Sequence, residues 1–207
     1  MAVNSDVKAL GDFVRNQVSY LSKDISCNRA TLSRLRRAVG MPPGADPEIW
    51  TQTLGDLPEG LSGKGRTPSP GEWATHVALT LYAIHVQSSD APAQEDGVGL
   101  GKAVGRLAAG YNSKSQDANP HQKRMAEASR SDGIEVLSWR LRSIVRLLGR
   151  EGIGIDYGRL AMDLYWFQFE RSRPQVVLNW GRGYSMGLYE AGNKPDKKDS
   201  AVAAGTN

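Results

Sequence analysis

The sequence predicts an all-α fold of about eight or nine helices, with a small N-terminal helical part followed by a C-terminal bundle. Three observations predict this class. Apolar residues recur at spacings of three and four along most of the chain. Capping residues or prolines precede many of these stripes, and glycines follow several of them. No segment alternates between apolar and polar residues for long enough to indicate a strand.

The first 54 residues are predicted to form three helices. The apolar stripe of the first consists of Val7, Leu10, Val14, Val18 and Leu21. The second covers residues 28–39 and stops where Gly40 can adopt a left-handed C-terminal conformation. Asp46 and Pro47 are typical of the N-cap and first turn of a short third helix.

Residues 55–71 contain five glycines and three prolines without any period, and we predict a flexible loop there. Ser69 and Glu72 have the spacing of a capping box and begin a fourth helix. Its buried stripe is expected to hold Trp73, Val77, Leu81 and Ile84. A second loop follows at residues 88–99, and a fifth helix starts at Leu100.

Four further helices are predicted after the fifth. Asn119 starts one that runs to about residue 130, and Asp132 with Glu135 gives a second capping-box pattern before a helix over residues 134–148. Asp156 is expected to cap the eighth helix, which reaches Phe167. The last helix is predicted to be short, at about residues 176–184.

These elements predict four consecutive parts. They are N-terminal helices over 1–54, the flexible loop over 55–71, a C-terminal helical bundle over 72–187 and a disordered tail over 188–207. The tail is predicted to be disordered because it lacks the apolar content needed to pack.

Composition excludes several classes of protein. Cys27 is the only cysteine, so the chain forms neither an internal disulfide nor a cysteine-rich zinc site. Three histidines leave little material for a histidine-based metal centre, and we expect no metal and no cofactor. No run of about 18 apolar residues and no signal-peptide pattern is present, so we expect a cytoplasmic protein that does not enter a membrane.

The sequence also offers no catalytic constellation. The acidic residues lie at dispersed capping and loop positions, with no carboxylate pair for two-metal chemistry and no nucleophile beside a base. The segment 98–102 resembles a phosphate loop only superficially, because its spacing is wrong and Ala103 replaces the required hydroxyl. We therefore predict no catalytic residues and no enzyme activity.

Charge is segregated along the chain although its net value is only +4. Residues 28–40 carry four arginines and no acid, residues 41–99 have a net charge of −6, and residues 100–182 have a net charge of +6. Such segregation is typical of a protein that presents a basic face to a polyanion.

The helix over 134–148 is the most informative basic element. Arg142, Arg146 and Arg150 lie on a ridge at spacings of four, beside the apolar stripe and on the same side as Trp139. Arginines at this spacing repel one another, and an acidic partner or a phosphate backbone would relieve that repulsion. Because arginine binds phosphate bidentately, the ridge is a candidate for holding a nucleic-acid strand.

Three other clusters repeat this pattern. Their members are Arg29, Arg36 and Arg37; Lys102 and Arg106; and Lys123, Arg124 and Arg130. For any one pair, a solvated or ion-paired helix face is the ordinary interpretation. Four acid-poor clusters together favour backbone binding without base readout. Most of the aromatic candidates for base stacking lie on apolar stripes and are expected in the core, with Trp139 the exception.

The order of several motifs resembles the CasB family, the small subunits of the type I-E CRISPR Cascade surveillance complex. The motifs are NRATLSRLRRAVG, VGLGKAVGRL, NPHQKRMAEASR, LSWRLRSIVRLL, GIGIDYGRLAMDLYWF and NWGRGY. The similarity covers about residues 5–187 and is strongest over residues 99–166. Lys102 departs from the arginine that is usual in the family, which loses the bidentate geometry of a phosphate contact.

The resemblance implies an all-α, non-catalytic protein present as two copies beside the other Cascade subunits. Its basic surface would bind target and displaced non-target DNA strands along the guide RNA and stabilise the R-loop. The family's basic positions then fall on the residues of the four clusters other than Arg150, and Arg140 is added to them by the resemblance alone.

Three alternatives stay open at this point. The first is a stand-alone, sequence-independent protein that binds single-stranded DNA or RNA. The second is a nucleic-acid-processing enzyme. The third is a structural subunit whose basic ridges contact acidic protein surfaces.

Overall fold

The structure is a computed structural model that describes residues 2–88, 90–111 and 119–193. Within these ranges it contains nine α-helices and two short 3-10 helices, over Pro47–Ile49 and Glu59–Leu61, which confirms the all-α prediction. The α-helices are α1 (Ala2–Leu21), α2 (Ser26–Arg37), α3 (Trp50–Thr53), α4 (Pro70–Val86), α5 (Leu100–Ala109), α6 (Pro120–Ser129), α7 (Ile134–Arg150), α8 (Tyr157–Phe167) and α9 (Arg173–Gly192). An isolated parallel bridge joins Gln94 to Ile155.

Helix α4 lies at the centre of the fold. All of its residues from 74 to 85 are buried, and α1, α2, α7 and α8 pack around it. A helix that is apolar or small on every side is expected in such a central position. The apolar stripes of α1, α2, α7 and α8 contribute to one hydrophobic core with α4. Helices of the predicted N-terminal part and of the predicted C-terminal bundle thus share this core, while the domain boundaries themselves stay a prediction.

Most of the predicted helix starts are confirmed by side-chain caps. Asp46, Asn119 and Asp156 each accept a hydrogen bond from a backbone amide of the following turn. Ser69 and Glu72 form the reciprocal capping box at the start of α4. The second predicted capping box is wrong, because Gly133 occupies the N-cap of α7 and no side chain caps that helix. This shift by one residue places Glu135 too early in the first turn to bond back to the N-cap amide.

The segment over residues 55–71 packs against the core at two points. Leu57 and Leu61 are buried, and the short helix Glu59–Leu61 lies against α1 and α4. The amide of Gly63 donates to Oε1 of Glu72 at 2.9 Å. Leu57 and Leu61 therefore anchor the loop to the core, and the flexibility of residues 55–71 stays a prediction.

Helix α9 is longer than predicted. It runs to Gly192, so the prediction of a disordered tail is wrong for residues 188–192, and residues 194–207 lie outside the described ranges. The helix crosses α5 in direct backbone contact, because a Cβ added to Gly101 or Gly105 would clash with carbonyl oxygens of α9. Gly101 and Gly105 have no side chains, and this allows the two helices to approach closely.

An ion pair between half-buried Arg15 and buried Asp156 joins α1 to the start of α8. Nε and Nη2 of Arg15 each lie 3.1 Å from one carboxylate oxygen of Asp156, which also accepts from the backbone amides of Gly97 and Arg159. Burial alone would raise the pKa of Asp156, but these hydrogen bonds hold it below its ordinary value.

Within the described ranges, no helix combines the length and apolar character that a membrane span requires.

Candidate nucleic-acid interface

Helix α7 has one buried face and one cationic face. Leu137, Leu141 and Val145 are fully buried, which directs the opposite side of the helix toward solvent. On that side Arg146 and Arg150 are exposed and Arg142 is half-buried. Within the part of the chain that the structure describes, none of these three arginines forms an ion pair with a carboxylate. Arg150 is not among the predicted site residues, although its spacing places it on the same ridge.

Trp139 joins this cationic side of α7 to the end of α2. The residue is 54% exposed, and its indole ring lies against Gly40, three residues after the end of α2. Gly40 has φ of +83°, and a Cβ built there would lie 2.7 Å from Cζ2 of Trp139. Only glycine therefore satisfies both the backbone conformation and the contact. The guanidinium carbon of Arg142 lies 5.4 Å from the centroid of the indole ring, within the range of a cation–π contact.

The end of α2 is also fixed from α4. Nε2 of His76 lies 3.2 Å from the carbonyl oxygen of Ala38. Burial lowers the pKa of His76, which favours a neutral ring that donates to that carbonyl. Arg36 is half-buried and Arg37 exposed in the last turn of α2, and neither forms an ion pair within the described ranges. Arg36, Arg37, Trp139, Arg142 and Arg146 together are called the α2–α7 face below.

Arg29, at the other end of α2, is not part of this face. Its Nε lies 3.1 Å from Oδ1 of Asp24, and both side chains are largely exposed. Arg34 pairs with Glu48 at 2.9 Å. These carboxylates lie just outside the acid-free segment 28–40, and the fold brings them back to it.

The α6 cluster lies beside α7. Lys123, Arg124 and Arg130 are exposed and form no ion pair with any described residue. Arg140 donates to the carbonyl oxygen of Glu127 and lies 3.2 Å from the Ser131 hydroxyl. Arg140 therefore joins α7 to the end of α6, a structural role that neither spacing nor the family resemblance indicated.

The α5 pair is turned toward α9 and is neutralised there. Nζ of Lys102 lies 2.6 Å from Oε1 of Glu190, and Nη1 of Arg106 lies 2.8 Å from Oε1 of Glu95. Arg106 also reaches Glu190 at 3.4 Å. Burial alone would lower the pKa of Arg106, but the hydrogen bonds to Glu95 and Glu190 raise it above its ordinary value. These residues, with Gly101, Gly105 and Gly187 at the helix crossing, are called the α5–α9 seam below.

The aromatic candidates divide as expected between core and surface. Tyr82, Tyr165, Phe167 and Trp180 are buried, and Trp73 and Trp166 are partly buried against the core. Trp139 is exposed, and so is Trp50 at 47%, whose exposure the sequence did not indicate.

Among the described residues, no group of three or more His, Cys, Asp or Glu side chains could hold a metal ion.

Comparisons with known proteins agree with one another. The sequence profile of the family described as "CRISPR-associated protein Cse2" matches residues 31–184. The crystal structure of CasB from Thermobifida fusca is similar to this chain at 36% sequence identity and a TM-score of 0.66, covering 84% of this chain and 97% of that one. A chain of a CRISPR RNA-guided surveillance complex shares the fold, with 18% identity, a TM-score of 0.59 and coverage of 89% and 96%. None of the curated protein sequences matches.

Proposed function

The chain belongs to the CRISPR-associated Cse2 family, and from this premise we propose that it is a non-catalytic subunit of a type I-E CRISPR Cascade complex. In that role it binds target and displaced non-target DNA strands through their phosphates and stabilises the R-loop along the guide RNA. Its partners are the other Cascade subunits, both nucleic acids and a second copy of itself.

One observation carries the proposal. The α2–α7 face contains four arginines without a carboxylate partner in the described ranges, and Trp139 on α7 contacts Gly40, three residues after the end of α2. Unpaired guanidinium groups bind phosphates bidentately, and because the helices already fix the backbone, only the side chains lose freedom on binding. We infer that Lys123, Arg124 and Arg130 extend this cationic surface. Arg29, Lys102, Arg106 and Arg140 have internal partners and are expected to contribute less.

Phosphate contacts of this kind are sufficient to influence R-loop formation. The exchange is nearly balanced, because the RNA–DNA heteroduplex is about as stable as the DNA duplex that it replaces. A few contacts to a displaced strand therefore shift the equilibrium toward the open state. Such contacts act on any sequence, since phosphates carry no base information.

The test is charge reversal at Arg142 and Arg146 in the reconstituted complex. We expect Arg142→Glu with Arg146→Glu to weaken the R-loop on several unrelated targets by a similar factor. The slope of log K against log[salt] is expected to flatten by roughly one unit per lost contact. Affinity measured at several salt concentrations, together with R-loop lifetime, gives both quantities.

A matched control carries the same change in net charge. Arg66 and Arg171 are exposed, form no ion pair in the described ranges and lie outside α2, α6 and α7, so Arg66→Glu with Arg171→Glu should leave the salt slope unchanged. An unchanged slope in the folded Arg142/Arg146 variant contradicts the proposal. Binding of single strands by the purified chain at the affinity of the complex would favour a stand-alone protein, and metal-dependent cleavage would indicate an enzyme.

A further inference from the structure

Trp139 is a large aromatic side chain that the core does not use. It is 54% exposed on α7, where Leu137 and Leu141 are fully buried and Val136, one turn before it, is 43% exposed. Met41, which follows the contacted Gly40, is 44% exposed as well. Leaving an indole ring of this size in water forgoes the free energy that burial would provide. The contact with Gly40 nevertheless holds the ring at one place on the surface.

Cationic groups surround the exposed ring. Arg142 lies 5.4 Å from the ring centroid, and Arg146 projects within about 20° of Trp139 around the helix axis, two turns further along α7. Arg36 and Arg37 lie in the last turn of the helix that ends beside the ring. The ring therefore occupies a position from which a polyanion held by these arginines would be within reach of its exposed surface.

We propose that Trp139 is a stacking site for an unpaired nucleobase of the strand whose phosphates bind Arg142 and Arg146. This inference rests on the proposed function and adds a ligand preference to it. Bases stack on aromatic rings irrespective of their identity, because every base has a π-face. Arginine planes stack on bases as well, so Arg142 extends the platform instead of blocking it.

The proposed site distinguishes single strands from duplexes. Phosphates are present in both forms, and a surface of arginines alone binds either. An unpaired base, in contrast, is free to leave its neighbours and stack on the indole, whereas a paired base is held inside the helix. The site therefore selects the displaced strand in its unpaired state and opposes its return to the duplex.

The experiment uses the assembled complex with its guide RNA already paired to a target strand. Two labelled probes pair with neither strand: a thymidine oligonucleotide and an abasic oligonucleotide of the same length. We expect the wild type to bind the thymidine probe about tenfold more tightly, within the range that one stacked base provides. Trp139→Leu should abolish that difference, and Trp139→Phe should retain most of it. Trp50→Leu, at a similarly exposed tryptophan, is the matched control and should behave as the wild type.

The outcomes separate this inference from the proposed function. A wild type that binds both probes equally, or a Trp139→Leu variant that still prefers thymidine, overturns the stacking site. Reduced incorporation of both Trp139 variants into the complex, with the probe preference intact, also overturns it and assigns the ring to a protein contact. The Arg142/Arg146 charge reversal weakens binding of the abasic probe if the phosphate contacts exist, and because that probe has no bases to stack, this result tests the proposed function independently.

Discussion

Two basic regions of this protein have the same sequence pattern and different surroundings. Lys102 and Arg106 in the α5–α9 seam are four residues apart, as are Arg142 and Arg146 in the α2–α7 face. In the seam, both cations pair with Glu190, and Arg106 also pairs with Glu95. In the face, no described carboxylate lies within ion-pair distance. Helical spacing thus identifies basic faces but does not distinguish those that bind a ligand from those that stabilise the fold.

The difference arises from the residues that pack against each helix. Glu190 is 84 residues from Arg106 in the sequence and reaches it only because α9 crosses α5 in direct backbone contact. On α7, in contrast, Trp139 contacts Gly40, three residues after the arginine-rich last turn of α2, and this contact brings no carboxylate to the face. Long-range packing therefore decides which cluster stays free.

The largest expected effect tests whether the α5–α9 seam is structural. Gly105→Ala should lower the free energy of unfolding by about 3 kcal/mol, because its Cβ would clash with the Tyr184 carbonyl and separate the helices. In a chain of this length that corresponds to a fall in Tm of about 10 °C. Chemical denaturation and calorimetry of the purified chain measure both values.

A glycine of the same helix pair is the control. Gly181 lies in α9 with nothing within 4 Å of an added Cβ, so Gly181→Ala should be neutral or stabilise by up to about 1 kcal/mol. Equal Tm values for Gly105→Ala and Gly181→Ala would show that the close crossing does not hold the seam together. In that case the contrast between the two regions disappears.

These glycines also show which parts of the fold the sequence predicts. Stripes such as that of α1 and caps such as Ser69 and Asp156 depend on neighbouring residues alone, and their helices were predicted correctly. Helix α9 contains four glycines, so local propensity ends it too early. Its later turns pack closely against α5 at Gly105, and a contact between two helices is not encoded in the local pattern of either.

The next largest expected change in stability concerns Asp163, a carboxylate that contacts α9. Oδ2 of Asp163 accepts a hydrogen bond from Nε1 of Trp180 at 2.8 Å, and burial raises the pKa of Asp163 from 3.8 to about 6. Folding therefore favours its protonated form, and the stability that this provides is lost as the pH rises through about 6. Asp163→Asn should raise the free energy of unfolding by about 2 kcal/mol at pH 7.5 and change little at pH 4.

Asp156, the carboxylate that pairs with Arg15, is expected to change stability with pH in the opposite direction. The pKa of Asp156 lies below its ordinary value, so its contribution is present at neutral pH and lost as the pH falls. Asp156→Asn should destabilise the protein at pH 7.5, with a difference that narrows in acid. His85, whose pKa burial lowers to about 4, titrates in every variant and cancels in each comparison with the wild type. A pH-independent gain for Asp163→Asn would rule out ionisation as its cause.

The candidate site was predictable to the level of clusters and no further. Spacing placed Arg142 and Arg146 together on the solvent side of one helix, because the geometry of a helix is fixed by the chain itself. It did not reveal that Arg140 holds α6, or that Gly40 receives the ring of Trp139. Each of those contacts joins two elements, and single-residue patterns contain no information about such pairs.

The smallest expected effect separates the two regions most directly. Arg106→Gln should lower the free energy of unfolding by about 1 kcal/mol, because it removes a partly buried cation from Glu95 and Glu190. Arg146→Gln should change it by less than about 0.5 kcal/mol, since the side chain is exposed and unpaired within the described ranges. Thermal unfolding at low and high salt measures both changes in stability. Added salt should reduce the stability loss of Arg106→Gln.

In the reconstituted complex, we expect Arg146→Gln to have the larger effect on DNA binding and Arg106→Gln the smaller. Arg146→Gln is expected to flatten the salt dependence of DNA binding by roughly one unit, while Arg106→Gln leaves it unchanged. A stability loss confined to Arg106 and a binding loss confined to Arg146 would assign one basic helix face to the fold and the other to the ligand. If Arg106→Gln instead flattens the salt slope, its ion pairs open on binding, and the α5–α9 seam is a second phosphate-binding surface.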